Sequence, residues 1–304
     1  MKYRLIDEEK SCHSVSRLAR VLGVTRAGYH AWKRRAPSSR TQQDERLKLR
    51  IVEIHEASHG IYGAPRIHAE LRAVDGLLVG RKRVARLMRE LDIEGVSRRG
   101  KRRVRRSAAE APAAPDLVRR RFTARAPNEL WVADITYVPT WEGWLFLAAV
   151  IDAHSRFCCG WSMRDDLKAD LVIDALGMAT TRRRPRPGLV HHSDRGGQYR
   201  SLAFGRSLRE SGILPSMGSP GDAYDNAAAE SFMATIKTEL VQRQRFKRRD
   251  DARLAVFSYI EGFYNPHRRH SALGYRSPAE YEKMQYENRL AVVAVRSQVA
   301  TETG

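Results

Sequence analysis

Cysteine is nearly absent: Cys12, Cys158 and Cys159 are the only three among 304 residues. A lone thiol and an adjacent pair offer neither a disulfide framework nor a Cys-x-x-Cys metal signature, and the pair reads as small residues inside a strand. Long apolar runs are missing as well. No stretch approaches the ~20 apolar residues of a membrane-crossing helix, and the first ten residues, MKYRLIDEEK, lack the apolar core of an export signal. A cytoplasmic protein is the expectation. Acid is in short supply, with 35 Asp and Glu against 55 Lys and Arg and a formal net charge of +20.

The excess is uneven. Residues 1–126 hold 31 Lys and Arg against 14 Asp and Glu, a net of +17; residues 127–304 hold 24 against 21, a net of +3. A basic half joined to a nearly neutral half suggests a polyanion-binding region that feeds a separate chemical site. The length suits about two domains.

The basic half reads as helices. Ser14 can cap a helix with Val15, Leu18, Ala19 and Leu22 on one face. Gly23 breaks it, and Thr25 can cap a second helix carrying Tyr29 and Trp32 and ending in Lys33, Arg34 and Arg35. Helix, glycine turn and basic helix make a helix-turn-helix pattern over residues 1–42, a pattern that a plain packing hairpin shares. A second helical unit is expected over 43–96. Leu47, Ile51 and Ile54 form one face; Pro65 suits a first helical turn ahead of Ile67 and Leu71; Val84, Leu87, Met88 and Leu91 form an apolar stripe. Around that last stripe stand Arg81, Lys82, Arg83, Arg86 and Arg89, a density of charge that favours phosphate contact over an ordinary solvated face. Residues 97–125 combine a basic run with an Ala/Pro-rich stretch that cannot bury much apolar surface; they read as a linker.

From Asn128 the period changes. LWVADITYVP, GWLFLAAVID and RFCCGWSM are three strand-length apolar segments in succession, which suggests an antiparallel meander. A helix over 168–183, a strand LVHHSD, a helix over 199–211, a short strand ILPSM and helices over about 226–241 and 250–264 follow. The order βββαβαβα with a helical extension matches a ribonuclease H-like α/β fold, a mixed sheet flanked by helices, here preceded by the all-α region. It is expected to span 126–285, leaving 286–304 as a tail.

Three acids stand out in this half. Asp134 lies inside an apolar strand, where a carboxylate costs stability unless something satisfies it; a turn or edge residue paired to a cation is the bland alternative. Asp194 ends its strand just before Arg195-Gly196-Gly197, where it serves either as a turn former or as a ligand. Strand period two puts His192 on the same face, lining the site or packed behind it. Glu230 sits early in a helix, a place the macrodipole favours for any acid, with 35 residues between it and Asp194. Lys237 follows two turns later on nearly the same face, as a phosphate contact or a solvated lysine. Asp222 and Asp225 fall in the Gly/Pro-rich turn before the helix, where an Asp has a local structural role. Three carboxylates from two strands and a helix could hold divalent metal ions for phosphodiester chemistry.

These segments carry a resemblance. WVADITYVPT, HHSDRGGQY, GSPGDAYDNAAAESFMATIKTEL and FYNPHRRHSALGYRSPAEY resemble the integrase-type core of DDE-class bacterial insertion-sequence transposases, and the chain from about Lys2 to Tyr281, including YGAPRIHAELR, is similar to their second-reading-frame (OrfB) products. The resemblance implies a retroviral-integrase-like catalytic core with Asp134, Asp194 and Glu230 as catalytic metal ligands, Mg²⁺ as cofactor with Mn²⁺ able to substitute, cleavage at element ends to free a 3′-hydroxyl, and attack of that hydroxyl on another phosphodiester. Its implied partners are the terminal inverted repeats, target DNA, a homo-oligomer assembled on DNA, and an upstream-frame product joined by frameshift. A nucleoid-associated protein follows. The family motif often has Cys where this chain has Ala223, a departure that touches no proposed ligand. Gly196, Gly197, Asn226, Lys237, Arg268 and Arg269 are candidates for shaping the site or contacting DNA; tight turns explain the two glycines equally well.

Overall fold

The computed structural model describes residues 1–97, 114–118, 124–218 and 227–302, with side chains through residue 291. Most of the expected linker, together with Asp222, Ala223, Asp225 and Asn226, lies outside the described residues.

Helices Lys2–Glu9 (α1), Val15–Val21 (α2) and Arg26–Arg34 (α3) open the chain. Both expected caps form: Ser14 Oγ accepts from the Arg17 N–H and Thr25 Oγ1 from the Gly28 N–H. The turn between α2 and α3 passes through Gly23 at φ 62°, a left-handed position that suits glycine. The sequence reading places no helix before Ser14; the structure adds α1, whose Ile6 packs on Ala19 and Tyr29, while Tyr29 Oη donates to Asp7 at 2.7 Å.

Ser39–Ala57 (α4), Ala64–Ala73 (α5) and Arg81–Glu90 (α6) form the second helical unit. Leu47, Ile51, Ile54, Ile67, Leu71, Val84, Leu87 and Met88 are buried as the 3.6 period requires. They do not close a core of their own. The same apolar cluster continues into Val132, Val138, Leu145 and Leu147 of the sheet and Phe232, Met233 and Ile236 of a later helix. The unit is therefore docked on the second half of the chain.

That half is built on one five-stranded mixed sheet of order β3-β2-β1-β4-β5. Its strands are Leu130–Thr140 (β1), Gly143–Asp152 (β2), Cys158–Arg164 (β3), Val190–Ser193 (β4) and Leu214–Met217 (β5). The first three form the expected antiparallel meander, and β4 and β5 add in parallel beside β1. Helices Ala169–Arg183 (α7) and Leu202–Glu210 (α8) cover the face carrying Trp131, Ala133, Ala148 and Val150. Helix Ala227–Glu239 (α9) covers the other. Arg249–Phe257 (α10) runs on through a π-helical turn, Ser258–Tyr264, and Pro278–Glu302 (α11) continues as helix past residue 286, where a tail was expected.

Close approach of α7 to β3 depends on one residue. A Cβ at Gly160 would stand 2.3 Å from the Ala175 carbonyl oxygen and 2.5 Å from the Ala179 backbone nitrogen. Both obstacles are backbone and cannot rotate away. Gly160→Ala is expected to lower unfolding free energy by about 2–3 kcal/mol, read as a fall in the urea midpoint at constant slope.

Candidate active site

The sheet's parallel pairing is short, and that creates the site. β4 pairs with β1 only at Leu130–Val190, Trp131–His191 and Val132–His192. Two residues further along each strand come Asp134 and Asp194, so both acids stand at the point where the neighbouring strands part. In open α/β sheets this crevice, outside the carboxyl ends of parallel strands, is where ligands bind. α9 crosses the same region on the face shared by Val132, Asp134 and Val138, and carries exposed Glu230 in its first turn.

Local backbone fixes two of the acids. The Ile135 N–H donates to Asp134 Oδ1 at 2.8 Å. The Gly196 N–H donates to Asp194 Oδ1 at 2.9 Å. A Cβ at Gly196 would lie 2.9 Å from that same oxygen, so glycine there lets the loop close under the carboxylate. Gly197 has open space around it.

Electrostatics tie the group together. The carboxyl of half-buried Asp134 is pushed up to about 7, first by burial and then by the charge of Asp194, with a further push from Glu230; the Ile135 N–H and the Lys237 ammonium pull the other way. The three acids and the lysine therefore act on one point. Tyr199, a buried phenol to which sequence alone assigns no role, shares the same field. Its hydroxyl has no hydrogen-bond partner among the described residues, and burial together with the Asp134 and Asp194 charges holds it well above the usual phenol range.

Among the described residues no three His, Cys, Asp or Glu side chains stand near enough to cage a cation as they are. The acids share a field rather than a finished coordination shell. Their chemistry nevertheless fits a hard divalent cation. The donors are carboxylate oxygens, Asp134 carries the cost of uncompensated negative charge, and a further buried oxygen, Thr136 Oγ1 on the Asp134 face of β1, has no partner among the described residues.

Other expected site residues are placed differently. His192 is packed rather than lining the site: it is buried, with Nδ1 2.9 Å from Ser216 Oγ of β5. Arg268 and Arg269 need correction. Both are buried, at 3% and 4% exposure. Arg268 grips Glu239 at the end of α9 through Nε (2.6 Å) and Nη2 (2.5 Å), and Arg269 pairs with Glu70 of α5 and with Glu280. A charge taken out of water is stable only when paired; Arg269 thereby joins α5 of the helical unit to the sheet domain, whereas Arg268 braces α9 from within that domain, and the burial of both is at odds with the expected DNA contact. Arg66 of α5 adds to the joint through Glu239 (3.4 Å) and the Arg269 carbonyl (3.1 Å). On α6, Arg83 and Arg86 both bond Asp44 of α4, at 2.6 and 2.7 Å, so their guanidinium groups are already engaged, whereas Arg81, Lys82 and Arg89 are exposed. Lys33, Arg34 and Arg35 are exposed at the end of α3, with Lys33 3.6 Å from Asp7.

Comparison with known proteins follows the same division. A family model described as an integrase core domain matches residues 124–223, a second model with that description matches 211–278, and an HTH-like domain matches 42–102. The chain is 42% identical to the insertion element IS600 uncharacterized 31 kDa protein of Shigella sonnei, over 89% of this chain and 99% of that one. It is 38% identical to the transposase for insertion sequence element IS629 of Shigella sonnei, over 93% and 96% of the two chains. It is also 38% identical to the transposase InsF for insertion sequence IS3A of Escherichia coli K12, over 93% and 98%.

Proposed function

This chain belongs to the family of insertion-sequence transposases with an integrase core, and from that premise we propose that Asp134, Asp194 and Glu230 are the acids with which it cuts and joins DNA strands at the ends of its element. The observation that carries this reading is the convergence of the Asp194 and Glu230 charges on Asp134 at the parting of two parallel strands. Asp134, Asp194 and Glu230 would hold Mg²⁺, with Mn²⁺ able to substitute. A divalent cation bound there supplies charge stabilisation for the attacking and leaving oxygens of an in-line displacement. The residues do the rest. The Ile135 and Gly196 N–H groups orient the Asp134 and Asp194 carboxylates before substrate arrives. Lys237, within electrostatic reach of Asp134, offers a cation to the phosphodiester. Substrate DNA comes from both half-reactions: an element end whose cleavage frees a 3′-hydroxyl, and the target strand which that hydroxyl attacks. Two ends must meet, so a homo-oligomer on DNA is part of the proposal, as is an upstream-frame partner that completes recognition of the terminal inverted repeats. Among the described residues no helix is long and apolar enough to cross a membrane. The nucleoid is the proposed place of action.

The chain incubated with labelled terminal-repeat duplex, target DNA and Mg²⁺ is expected to give a joined product. Hydrolysis without joining would reduce the activity to that of a nuclease. Specific binding with no metal-dependent chemistry, even with the upstream partner present, would leave a repressor.

End recognition is assigned to the exposed cations of α3 and α6. Replacing Arg81 and Lys82 together with Gln is expected to weaken binding to every duplex and to lower the slope of log K against log salt by about 2, one for each phosphate no longer neutralised. Fluorescence anisotropy over a salt series measures this; a slope equal to that of the wild type would remove both residues from the DNA path.

A further inference from the structure

Aromatic side chains crowd the hairpin that extends β1 and β2 beyond the acids. Tyr137, Trp141 and Trp144 are 43%, 71% and 52% exposed. Tyr137 and Trp144 meet edge to face at 4.8 Å. Lys237 Nζ stands 4.7 Å above the Tyr137 ring and Lys247 Nζ 5.4 Å from the Trp141 ring centre. The hairpin is held in place: Thr140 Oγ1 donates to the Gly143 carbonyl at 2.7 Å, and the Trp141 N–H to the Phe246 carbonyl at 3.1 Å. Its tryptophans differ from those of the interior. Trp131 and Trp161 set their indole N–H on Asn128 and Glu261, whereas those of Trp141 and Trp144 have no partner among the described residues.

We propose that Tyr137, Trp141 and Trp144, flanked by Lys237 and Lys247, form a stacking platform for unpaired bases of the DNA strand whose phosphodiester lies at the carboxylates. Three exposed rings on one rigid hairpin are more than the scattered apolar residues normal on a surface. The cations set the chemistry of the occupant. Rings interleaved with ammonium groups match a chain that alternates flat bases with phosphates, as in proteins that hold single strands. Lys237 connects the two places directly, because one side chain both covers the Tyr137 ring and acts on Asp134. In an intact duplex the faces of a base are hidden by its neighbours, so this surface selects DNA that is frayed or displaced next to the cut. Every base has a π face, and the platform is therefore indifferent to sequence; end recognition stays with the basic helices.

The proposal rests on reading Asp134, Asp194 and Glu230 as the cleavage site, and binding measured without divalent cation separates the two. With the full chain in EDTA, terminal-repeat duplexes carrying a short unpaired flap are expected to bind more tightly than flush ones. Trp144→Ala and Trp141→Ala should each reduce that preference by roughly 5- to 100-fold, the effect of one base–aromatic stack, with flush-end affinity and the melting curve unchanged. Trp144→Phe should keep most of the preference. Equal binding of flapped and flush ends by the wild type, or a preference that survives both alanine variants, would overturn the platform. Unchanged DNA binding with an altered sedimentation profile would assign the surface to a second copy of the chain and overturn it equally. If instead the preference behaves as expected while Asp134→Asn still joins strands, the platform stands and the carboxylate assignment falls.

Discussion

Asp134→Asn is expected to lower strand joining by on the order of 10³-fold or more while leaving affinity for terminal-repeat DNA within about twofold, and to make the metal-free protein more stable above neutral pH. The first half follows from the proposed ligand role, and Asp194→Asn and Glu230→Gln should behave alike in the joining assay. The second half follows from the field at the site. The Asp134 carboxyl is held near 7 when folded and near 3.9 in an unfolded chain. The folded state therefore holds this proton more tightly, and stability from this group is fully present below about pH 4 and lost as pH rises through 7. At pH 8 the cost is on the order of 2–4 kcal/mol, which the amide removes. Adding Mg²⁺ at pH 8 should raise the wild-type melting temperature and do little for Asp134→Asn. Substantial joining by the purified variant, or a metal-free melting point no higher than wild type at pH 8, would separate Asp134 from the role given to it.

The acids proposed for catalysis stand out in the sequence by their setting. Asp134 interrupts an apolar strand, Asp194 stands just past the end of one, and Glu230 lies in the first turn of a helix. The sheet was readable for the converse reason: alternation and length in three successive segments left the meander as the economical reading, and β4 and β5 fell into order beside it. The docking of the helical unit was not readable. Periodicity reports that Ile67, Leu71 and Leu87 face inward, but not what they face. The same limit explains Arg268 and Arg269. A run such as HRRH has the look of a DNA contact, and the acids that claim it lie 29 and 199 residues away in sequence; local pattern carries no trace of pairs so distant. Tyr199 was missed because a tyrosine two residues after a pair of glycines looks like loop, and only the fold buries it within the field of Asp134 and Asp194. On α6 the pattern counted charges correctly but could not assign Arg83 and Arg86 to Asp44.

Arg268→Ala is expected to destabilise the protein by about 3–5 kcal/mol, the usual cost of breaking a buried ion pair. Glu239 is the reason. Its side chain is 3% exposed, and burial alone would push its carboxyl up; the hydrogen bonds and charge of Arg268, helped by Arg66 and by the Tyr259 hydroxyl at 2.7 Å, hold it below the usual carboxylate range instead. Removing Arg268 leaves an acid in the interior with one cation, Arg66 at 3.4 Å, and one hydroxyl. That carboxylate must then protonate or draw in water, and either course loosens the end of α9, about two and a half turns from Glu230. A double replacement, Arg268→Met with Glu239→Leu, removes both charges and should recover most of the loss, because an apolar pair of similar volume can match a buried salt bridge. Urea denaturation of the wild type, the single variant and the double variant measures the coupling directly. The DNA-contact role expected from sequence makes the opposite forecast: stability of Arg268→Ala near wild type, with a DNA salt slope reduced by about 1. A single variant as stable as wild type would return Arg268 to the DNA surface and leave Glu239 to Arg66 and Tyr259.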